Sequence, residues 1–576
     1  MSGLILVCHR TKEQSGFSQP DFQGIADSIT PDDIEPAIET YQEPGLSLTI
    51  VDPTKCVSTD GTSACVGLLL DPSDNWAELG SGKPDGVFAL FRADQSAVEL
   101  ITDSLGQRTI WYAQTQSLFI ASTSQRAIIR ILGDFQPNKN VIPWMLATGC
   151  LGPYQSWDKR IKMVPPNSVL ALDRSTWQVQ LQQDQLDYAE SDESPQQLED
   201  RLLSILQDTF SRISIDCSDM VLPLSGGYDS RTILMLLQDR KNLSCFTIAP
   251  KMSNKYNTWS ITTRLAEHYG VPLRFLERNN SDDTVKSVFE RFLIASEGRI
   301  DGISGYQDGF KLFKTLRDEG TQGVIWGDEV FGWKQLDTLD DVKRLLGLSP
   351  LSEYENIPEL SSLGLTDIEF PDSLKAQPGE SGSSWFGRLY QDFRVPHTLS
   401  ARVDCKSRYV EVLNPLMCKE LVKLARELPD EQRQWKRLVS KVVGDLSPDI
   451  PFYSSATHDG KFRRLEKNVQ PQLWSTREGV EVIIEELDSV HARQVLPAQF
   501  IDFLLANVKA TSHKPNKMKQ SIRSFLASMA PNRFRMKLSQ QRDRKKAPVI
   551  NINELGFRAY MIVKMNKMLA EDGNVT

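Results

Sequence analysis

In the stretch Val-Leu-Pro-Leu-Ser-Gly-Gly-Tyr-Asp-Ser-Arg, residues 221–231, two glycines and an aspartate follow directly on a short apolar run, and apolar residues resume from Thr232 to Leu237. Met220 to Leu224 reads as a buried strand and the second run as the start of a helix, so the turn between them opens a helix. Such a strand, turn and helix direct unpaired backbone N–H groups and the positive end of a helix dipole toward one point, which suits a phosphate. Gly226 and Gly227 let the backbone approach an anion with no side chain in the way. Ser225 and Ser230 add hydroxyl donors. Asp229 makes sense beside phosphate when a divalent cation stands between them. The pattern predicts a nucleotide with magnesium, and the binding set is Leu224, Ser225, Gly226, Gly227, Asp229 and Ser230. A simpler reading of the same residues is a tight strand-to-helix turn with Asp229 as an N-cap.

The surroundings of this turn set its fold class. After it, strand and helix signals alternate through Leu243 to Ile248, Ile261 to Tyr269 and Val324 to Trp326. That alternation indicates a parallel sheet with helices on its faces, and such sheets bind ligands at the carboxyl ends of their strands. Before it the pattern is different. Gly86 to Arg92, Val98 to Thr102, Thr109 to Ala113 and Ser117 to Ala121 are short alternating runs separated by turn residues, so residues 1–187 are expected to be a β-rich domain. The segment from Asp187 to Pro195 is acidic, polar and aperiodic, which suits a linker, and helical spacing begins at Leu198 and runs to Ile213. Beyond about Phe386 the chain reads as mostly helical. The expected fold is α/β: a β-rich domain at 1–187, a parallel-sheet nucleotide-binding domain with a helical C-terminal part at 188–535, and a basic extension at 536–576.

A chain of 576 residues exceeds what one core usually organises. Its net charge of −9 argues against general nucleic-acid binding. One local exception is residues 533–546, RFRMKLSQQRDRKK, which read as a solvated basic helix or as a dock for an acidic partner or RNA. The apolar runs are too short to cross a bilayer, and the N-terminus MSGLILVCHRTKEQ reads as a first strand rather than a signal, so the cytoplasm is the expected location. The eight cysteines are scattered without a CxxC pair, which argues against a zinc site and a disulfide framework and suits core thiols.

Further motifs narrow the reading. Ser225-Gly226-Gly227-Tyr228-Asp229-Ser230 resembles the SGGxDS loop of the ATP pyrophosphatase group, whose members hold the ATP pyrophosphate in this turn and form adenylates. Gly327-Asp328-Glu329-Val330-Phe331-Gly332 is similar to the GADELFGG segment of asparagine synthetases. Asp85 to Ala89, Asp103 to Tyr112 and Pro165 to Asp173 are similar to stretches of that family's glutaminase domain, and Glu411 to Leu416 resembles its ExRxPFLD segment. The pieces follow family order from residue 1 to about 465, and the chain resembles the asparagine synthetase superfamily. That resemblance implies a glutaminase-like N-terminal domain of the N-terminal-nucleophile type, ATP and Mg²⁺ as cofactors, and Asp229 and Asp328 as magnesium ligands with catalytic weight.

Departures from the family pattern shape the functional expectation. Where glutamine-hydrolysing members carry a cysteine after Met1, this chain has Ser2, and Cys8 falls inside the first strand. Serine is the poorer nucleophile at neutral pH, so the N-terminal domain is expected to be an inactive scaffold. This resembles the branch of β-lactam synthetases, carbapenam synthetases and lasso peptide cyclases, which close an amide with an amine the substrate already carries. The implied partners are a small-molecule or peptide carboxylate and, for a cyclase, a precursor peptide with its protease. At the family's general-base position, three before Asp328, stands Ile325. The family's transition-state lysine falls near Ser454, and Lys461, just past Gly460, is the candidate replacement. Lys436 and Arg437 match a basic family position that touches phosphate, although surface exposure is the simpler reading of each. An amidotransferase using ammonia and a nucleotide-binding scaffold without catalysis remain as alternatives.

Overall fold

A computed structural model of the chain describes residues 3–11, 20–70, 72–214, 217–239, 242–248, 258–276, 281–332, 336, 339–452, 471–510 and 548–574. Its N-terminal part holds two six-stranded antiparallel sheets. The first runs in the order Lys162–Met163, Trp111–Gln114, Leu118–Ser122, Gly3–His9, Leu46–Val51, Ile38–Glu43. The second runs Gln178–Gln183, Ser168–Asp173, Ala97–Thr102, Asp85–Ala93, Ser63–Leu70, Val57–Asp60. Period-two alternation sorts their side chains. Leu4, Leu6 and Leu48 of the first sheet share a core with Val66, Phe91 and Leu100 of the second. Ile5, Val7 and Ile120 turn to the opposite face, against helices Phe22–Ile29 and Gln125–Leu132. Cys8 is buried in the first strand, as its place in the sequence suggests.

Helix Pro195–Ser211 follows the acidic linker. Ser194 and Gln197 close a reciprocal capping box around its first turn, which fixes where it begins. The parallel sheet comes next, in the order Leu273–Phe275, Ser244–Thr247, Met220–Pro223, Gly323–Ile325, Glu411–Leu413. Every neighbouring pair is parallel. Both faces are covered, as a parallel sheet requires. Met220, Leu222 and Leu224 pack among helices Pro195–Ser211, Tyr228–Leu237 and Arg437–Leu446, while Val221 and Val324 join the core formed with helix Val285–Ser296.

The chain leaves strand Met220–Pro223 toward one side of the sheet and returns on its other side with strand Gly323–Ile325. The carboxyl ends of these two strands therefore form a switch point, where the diverging connections leave a crevice.

A continuous helical run follows: Gly382–Leu389, a wide π-helical stretch Tyr390–Leu399 that contains Pro396, and Ser400–Ser407. The proline cannot donate to the helical ladder, and π-helical turns absorb such interruptions. The final helix, Ile552–Asp572, is buried along much of its length and packs against helices Arg477–Leu487, Gln125–Leu132 and Val141–Thr148. Asp572 accepts from Arg126 at 2.8 and 3.1 Å, tying the end of the chain to the N-terminal sheets. The basic run at 533–546 lies outside the described residues. Among those that are described, no helix is long and apolar enough to cross a membrane.

Candidate functional site

The glycine turn sits at the carboxyl end of the central strand of the parallel sheet. Helix Tyr228–Leu237 begins directly after it, with Gly227 as the N-cap residue and no side chain capping it. Its first-turn N–H groups are thus left without a capping side chain. Ser230 Oγ instead accepts from the Ser225 N–H at 2.9 Å and stands 2.9 Å from Ser225 Oγ, while Gly227 N–H donates to Ser225 Oγ at 3.3 Å. These bonds shape the turn before any ligand arrives. Leu224 lies beneath it: its N–H donates to Phe246 O at 2.7 Å and its side chain is buried in the sheet core.

The second loop packs straight onto this turn. A Cβ at Gly327 would stand 3.3 Å from Asp229 Cβ and 3.3 Å from Ser230 N, so only glycine permits the approach without displacement. Asp328 and Glu329 follow at the same crevice, and Ile325 is buried in the preceding strand.

A third loop brings a cation. The Lys436 ammonium donates to Asp229 Oδ1 at 2.8 Å and lies 2.8 Å from Glu329 Oε1. Trp435 and Lys436 both adopt left-handed backbone angles, with φ of 60° and 53°. Two consecutive non-glycine residues in that region hold strain that the surroundings must enforce. Lys436 N–H donates to Gly332 O at 2.8 Å, and a Cβ at Gly332 would come within 2.5 Å of Arg433 Cγ, so the loops at 327–332 and 433–436 interlock. Arg437, by contrast, is half-exposed and paired with Glu431.

Burial, aided by the charge of Asp229, pushes the Glu329 carboxyl up to about 7, against the pull of Lys436. Lys436 is itself held firmly charged: burial opposes its ammonium, but Glu329 and Asp229 outweigh it. Two carboxylates around one ammonium leave one negative charge in excess, which adds to burial in opposing ionisation of Glu329. Asp328 faces another set, since its charge acts on Tyr390 and Arg394 of the π-helical stretch. The Lys406 ammonium lies 3.9 Å from the centroid of the Trp326 ring beside Gly327, a cation–π contact.

The segment 450–452 is fastened beside the turn. Arg231, fully buried, donates to Ile450 O and Pro451 O at 2.9 Å each, and Phe452 stacks on Tyr228 with ring centroids 4.4 Å apart. Ser454 and Lys461 follow it and lie outside the described residues, as does Ser2.

Ser225, Gly226, Gly227, Asp229 and Ser230 therefore lie together in one turn, with Asp328 on the neighbouring strand's loop. Sequence reasoning did not single out Glu329 or the ion pairs of Lys436. Glu329 could have been noticed as the acid next to Asp328, whereas nothing in the local pattern around residue 436 shows what it faces. Oxygen donors from carboxylates suit a hard cation such as Mg²⁺, and in this structure the Lys436 ammonium is seated between Asp229 and Glu329. No group of three or more metal-ligating side chains is assembled among the described residues. A polar cavity of about 190 Å³, lined by Asp52, Arg317, Gln322 and Tyr409, lies at the opposite, amino end of the sheet.

No known protein family matches the chain, and no curated protein is similar in sequence. Among solved structures it is similar to glutamine phosphoribosylpyrophosphate amidotransferase from B. subtilis complexed with ADP and GMP, at 8% identity and a TM-score of 0.21, covering 50% of this chain and 92% of that one. It is likewise similar to a structure of the allosteric regulatory enzyme of purine biosynthesis, at 8% identity and a TM-score of 0.21, covering 60% and 88%. At those values the likeness carries no argument. The architecture is two antiparallel sheets, a parallel sheet and a helical C-terminal part.

Proposed function

We propose that the chain is an ATP-dependent carbon–nitrogen ligase that activates a carboxylate as its acyl-adenylate and joins it to an amine of the substrate, in the manner of a lasso peptide cyclase. The observation that carries this reading is the convergence of the uncapped glycine turn, Asp229 and the Asp328–Glu329 loop at one switch point. Amide formation from a free carboxylate and an amine is uphill in water. In the proposed reaction a carboxylate oxygen attacks the α-phosphorus, the bond to the bridging oxygen of pyrophosphate breaks, and pyrophosphate departs. The amine then attacks the acyl carbon, AMP leaves, and the amine loses a proton.

In this reading the N–H groups of the turn receive the anionic phosphates at the helix N-terminus. Asp229 and Asp328 would hold Mg²⁺, which lends positive charge to the phosphates when bound. The Lys436 ammonium, paired with Asp229 in this structure, would supply positive charge to the pyrophosphate if Asp229 held the metal. Lys461 is proposed to supply the charge at the α-phosphate. A nucleotide-binding scaffold without turnover is the second reading, favoured by Ile325, a buried apolar side chain at the position of the expected base.

Exchange of labelled pyrophosphate into ATP tests the proposal. Exchange that requires an added peptide or small carboxylate supports the ligase, and a product that forms only with ammonium favours the amidotransferase alternative. Binding of Mg-ATP without exchange on any acid favours the scaffold, and failure to bind Mg-ATP overturns the site. A precursor peptide or leader protease encoded beside this gene selects the cyclase.

A further inference from the structure

An edge strand of a sheet offers a row of unpaired N–H and C=O groups unless it is short, charged or covered. Most edges of this molecule are protected in one of those ways. Strand Ile38–Glu43 carries Glu39 and Glu43, strand Val57–Asp60 is four residues long and ends on an acid, and strand Lys162–Met163 has two residues. In the parallel sheet, the Leu273–Phe275 edge has three residues with Arg274 at its centre, and the Glu411–Leu413 edge is buried. Strand Gln178–Gln183 has none of these protections. Its six residues, Gln-Val-Gln-Leu-Gln-Gln, include no charge and no proline, and all except Val179 are exposed. Leu181 is 50% exposed, an unusual place for a large apolar side chain.

The ladder shows which of its backbone groups look outward. Asp184 N–H donates to Asn167 O at 3.1 Å, so residues 167 and 184, one step beyond the register of strands Ser168–Asp173 and Gln178–Gln183, form a hydrogen-bonded pair. Such pairs alternate along an antiparallel ladder, which turns Gln178, Gln180 and Gln182 toward the neighbouring strand and Val179, Leu181 and Gln183 away from it. Ser168, opposite Gln183, obeys the same parity: its N–H points the other way and donates to Thr102 Oγ1 at 3.0 Å. Among the described residues no backbone hydrogen bond outside the ladder engages the outward groups of Val179, Leu181 and Gln183. The side chains follow the same order. Leu181 stands opposite Leu170, which is buried between the two antiparallel sheets, and Val179 packs against that core, so Leu181 extends the core-facing row to the rim.

We infer that strand Gln178–Gln183 pairs antiparallel with the same strand of a second copy of this chain, about a two-fold axis at Leu181, so that the two copies share one continuous sheet. Leu181 is the middle of the three outward residues, and centring the axis there uses the outward groups of all three. The pairing sets Leu181 of one copy against Leu181 of the other, on the same face, and Val179 against Gln183. Two half-exposed leucines then cover each other. Charge favours this edge for self-pairing. A chain of net charge −9 repels its own copy in general, and strand Ile38–Glu43 paired in the same way about Tyr41 would set Glu39 against Glu43. Strand Gln178–Gln183 brings no charge to the axis. A strand contact of this length falls below the roughly 1,200 Å² of a standard interface, which places the affinity in the micromolar range. The inference is independent of the proposed ligase reading.

Sedimentation velocity of the full chain, from about 1 to about 100 μM, tests the inference. The wild type should pass from monomer to dimer over that range. Leu181→Lys and Leu181→Glu each place like charges against each other at the axis and should weaken the dimer at least about tenfold. An equimolar mixture of the two variants should dimerise again, because each pair then sets Lys against Glu. That rescue separates recognition from folding, since a misfolded chain or a contact through another surface would not regain association on mixing. The melting temperature of each variant at low concentration should match the wild type, as the side chain is half-exposed at an edge. A wild type that stays monomeric throughout, whether or not the edge takes a foreign strand peptide, overturns the inference. So does a dimer that neither substitution weakens, or a mixture that remains monomeric.

Discussion

Gly327 lies against Asp229, with a Cβ at 327 standing only 3.3 Å from Asp229 Cβ. The contact locks the loop of one strand onto the first helical turn of its neighbour, which sets how far apart the two carboxylate loops stand. Gly327→Val adds methyl groups where there is no room and must push the loops apart. The surrounding sheet is anchored elsewhere, so the melting temperature should change little. Mg-ATP affinity should fall at least about tenfold, as expected when a preorganised anion and metal site is widened. Equilibrium dialysis with labelled ATP measures it, and unchanged affinity would show that this approach does not shape the site.

Lys436 offers a second test because it neutralises two acids at once. Lys436→Met leaves Asp229 and Glu329 facing each other, and breaking such a partly buried pair should cost about 2 kcal/mol after allowance for the partial exposure of Asp229. Millimolar Mg²⁺ should restore part of that loss in the variant and do little for the wild type, whose ammonium already fills the role. Thermal melts with and without MgCl₂ read both effects. Identical melting and identical Mg²⁺ response in the two proteins would mean that the ion pairs contribute nothing.

How much of this was legible in the sequence follows the range of the interactions. The strands were found because their alternation is local: Gly86 to Arg92 is observed as Asp85–Ala93, and Val324 to Trp326 as Gly323–Ile325. Helix Tyr228–Leu237 begins earlier than the apolar run from Thr232 suggests, because the polar Tyr228, Asp229 and Ser230 occupy its first turn. The glycine turn and the Asp328 loop were legible as contiguous motifs. Lys436 was assigned to a phosphate-contacting position, with surface exposure as the simpler reading, yet it is seated between two acids, because its position depends on left-handed backbone at 435 and 436 that no local propensity signals. The π-helical stretch with Pro396 was similarly hidden, since a proline in a helical pattern reads as a break.

On the proposed function, Glu329 is expected to make ligand binding depend on pH. Its carboxyl is raised to about 7 in the folded chain, above the ordinary glutamate value near 4.3. The folded state therefore binds this proton more tightly than the unfolded state. The stability gained is fully present at low pH and is lost as pH rises from the ordinary value through about 7. Cation binding runs the other way, because it favours the ionised carboxylate. Mg-ATP affinity should rise between pH 6 and 8, with proton release, and Glu329→Gln should flatten that profile. Calorimetric titration in buffers of different ionisation enthalpy counts the protons, and an equally steep profile in the variant would exclude Glu329 as the titrating group.

The N-terminal sheets meet the part built on the parallel sheet at Arg108. Arg108, in the loop that follows strand Ala97–Thr102, donates to Glu411 Oε1 at 2.8 Å and to Ser407 Oγ at 2.6 Å, and both charged side chains are almost wholly buried. Gln107 beside it accepts from Asn414 Nδ2 at 2.9 Å. The loop itself is shaped by Asp103, whose carboxylate accepts from the Leu105, Gln107 and Arg108 N–H groups. Glu411 opens the edge strand of the parallel sheet, so at this junction the ion pair between the two parts is one that water does not reach. Removing a single partner strands a charge, and Arg108→Met should cost about 3–5 kcal/mol. Replacing both, as Arg108→Met with Glu411→Met, should recover much of that loss, because two apolar side chains need no compensation. Urea melts followed by tryptophan fluorescence compare the midpoints of wild type, single and double variants. If the double variant is as unstable as Arg108→Met, the junction depends on the hydrogen bonds to Ser407 and the strand rather than on charge balance.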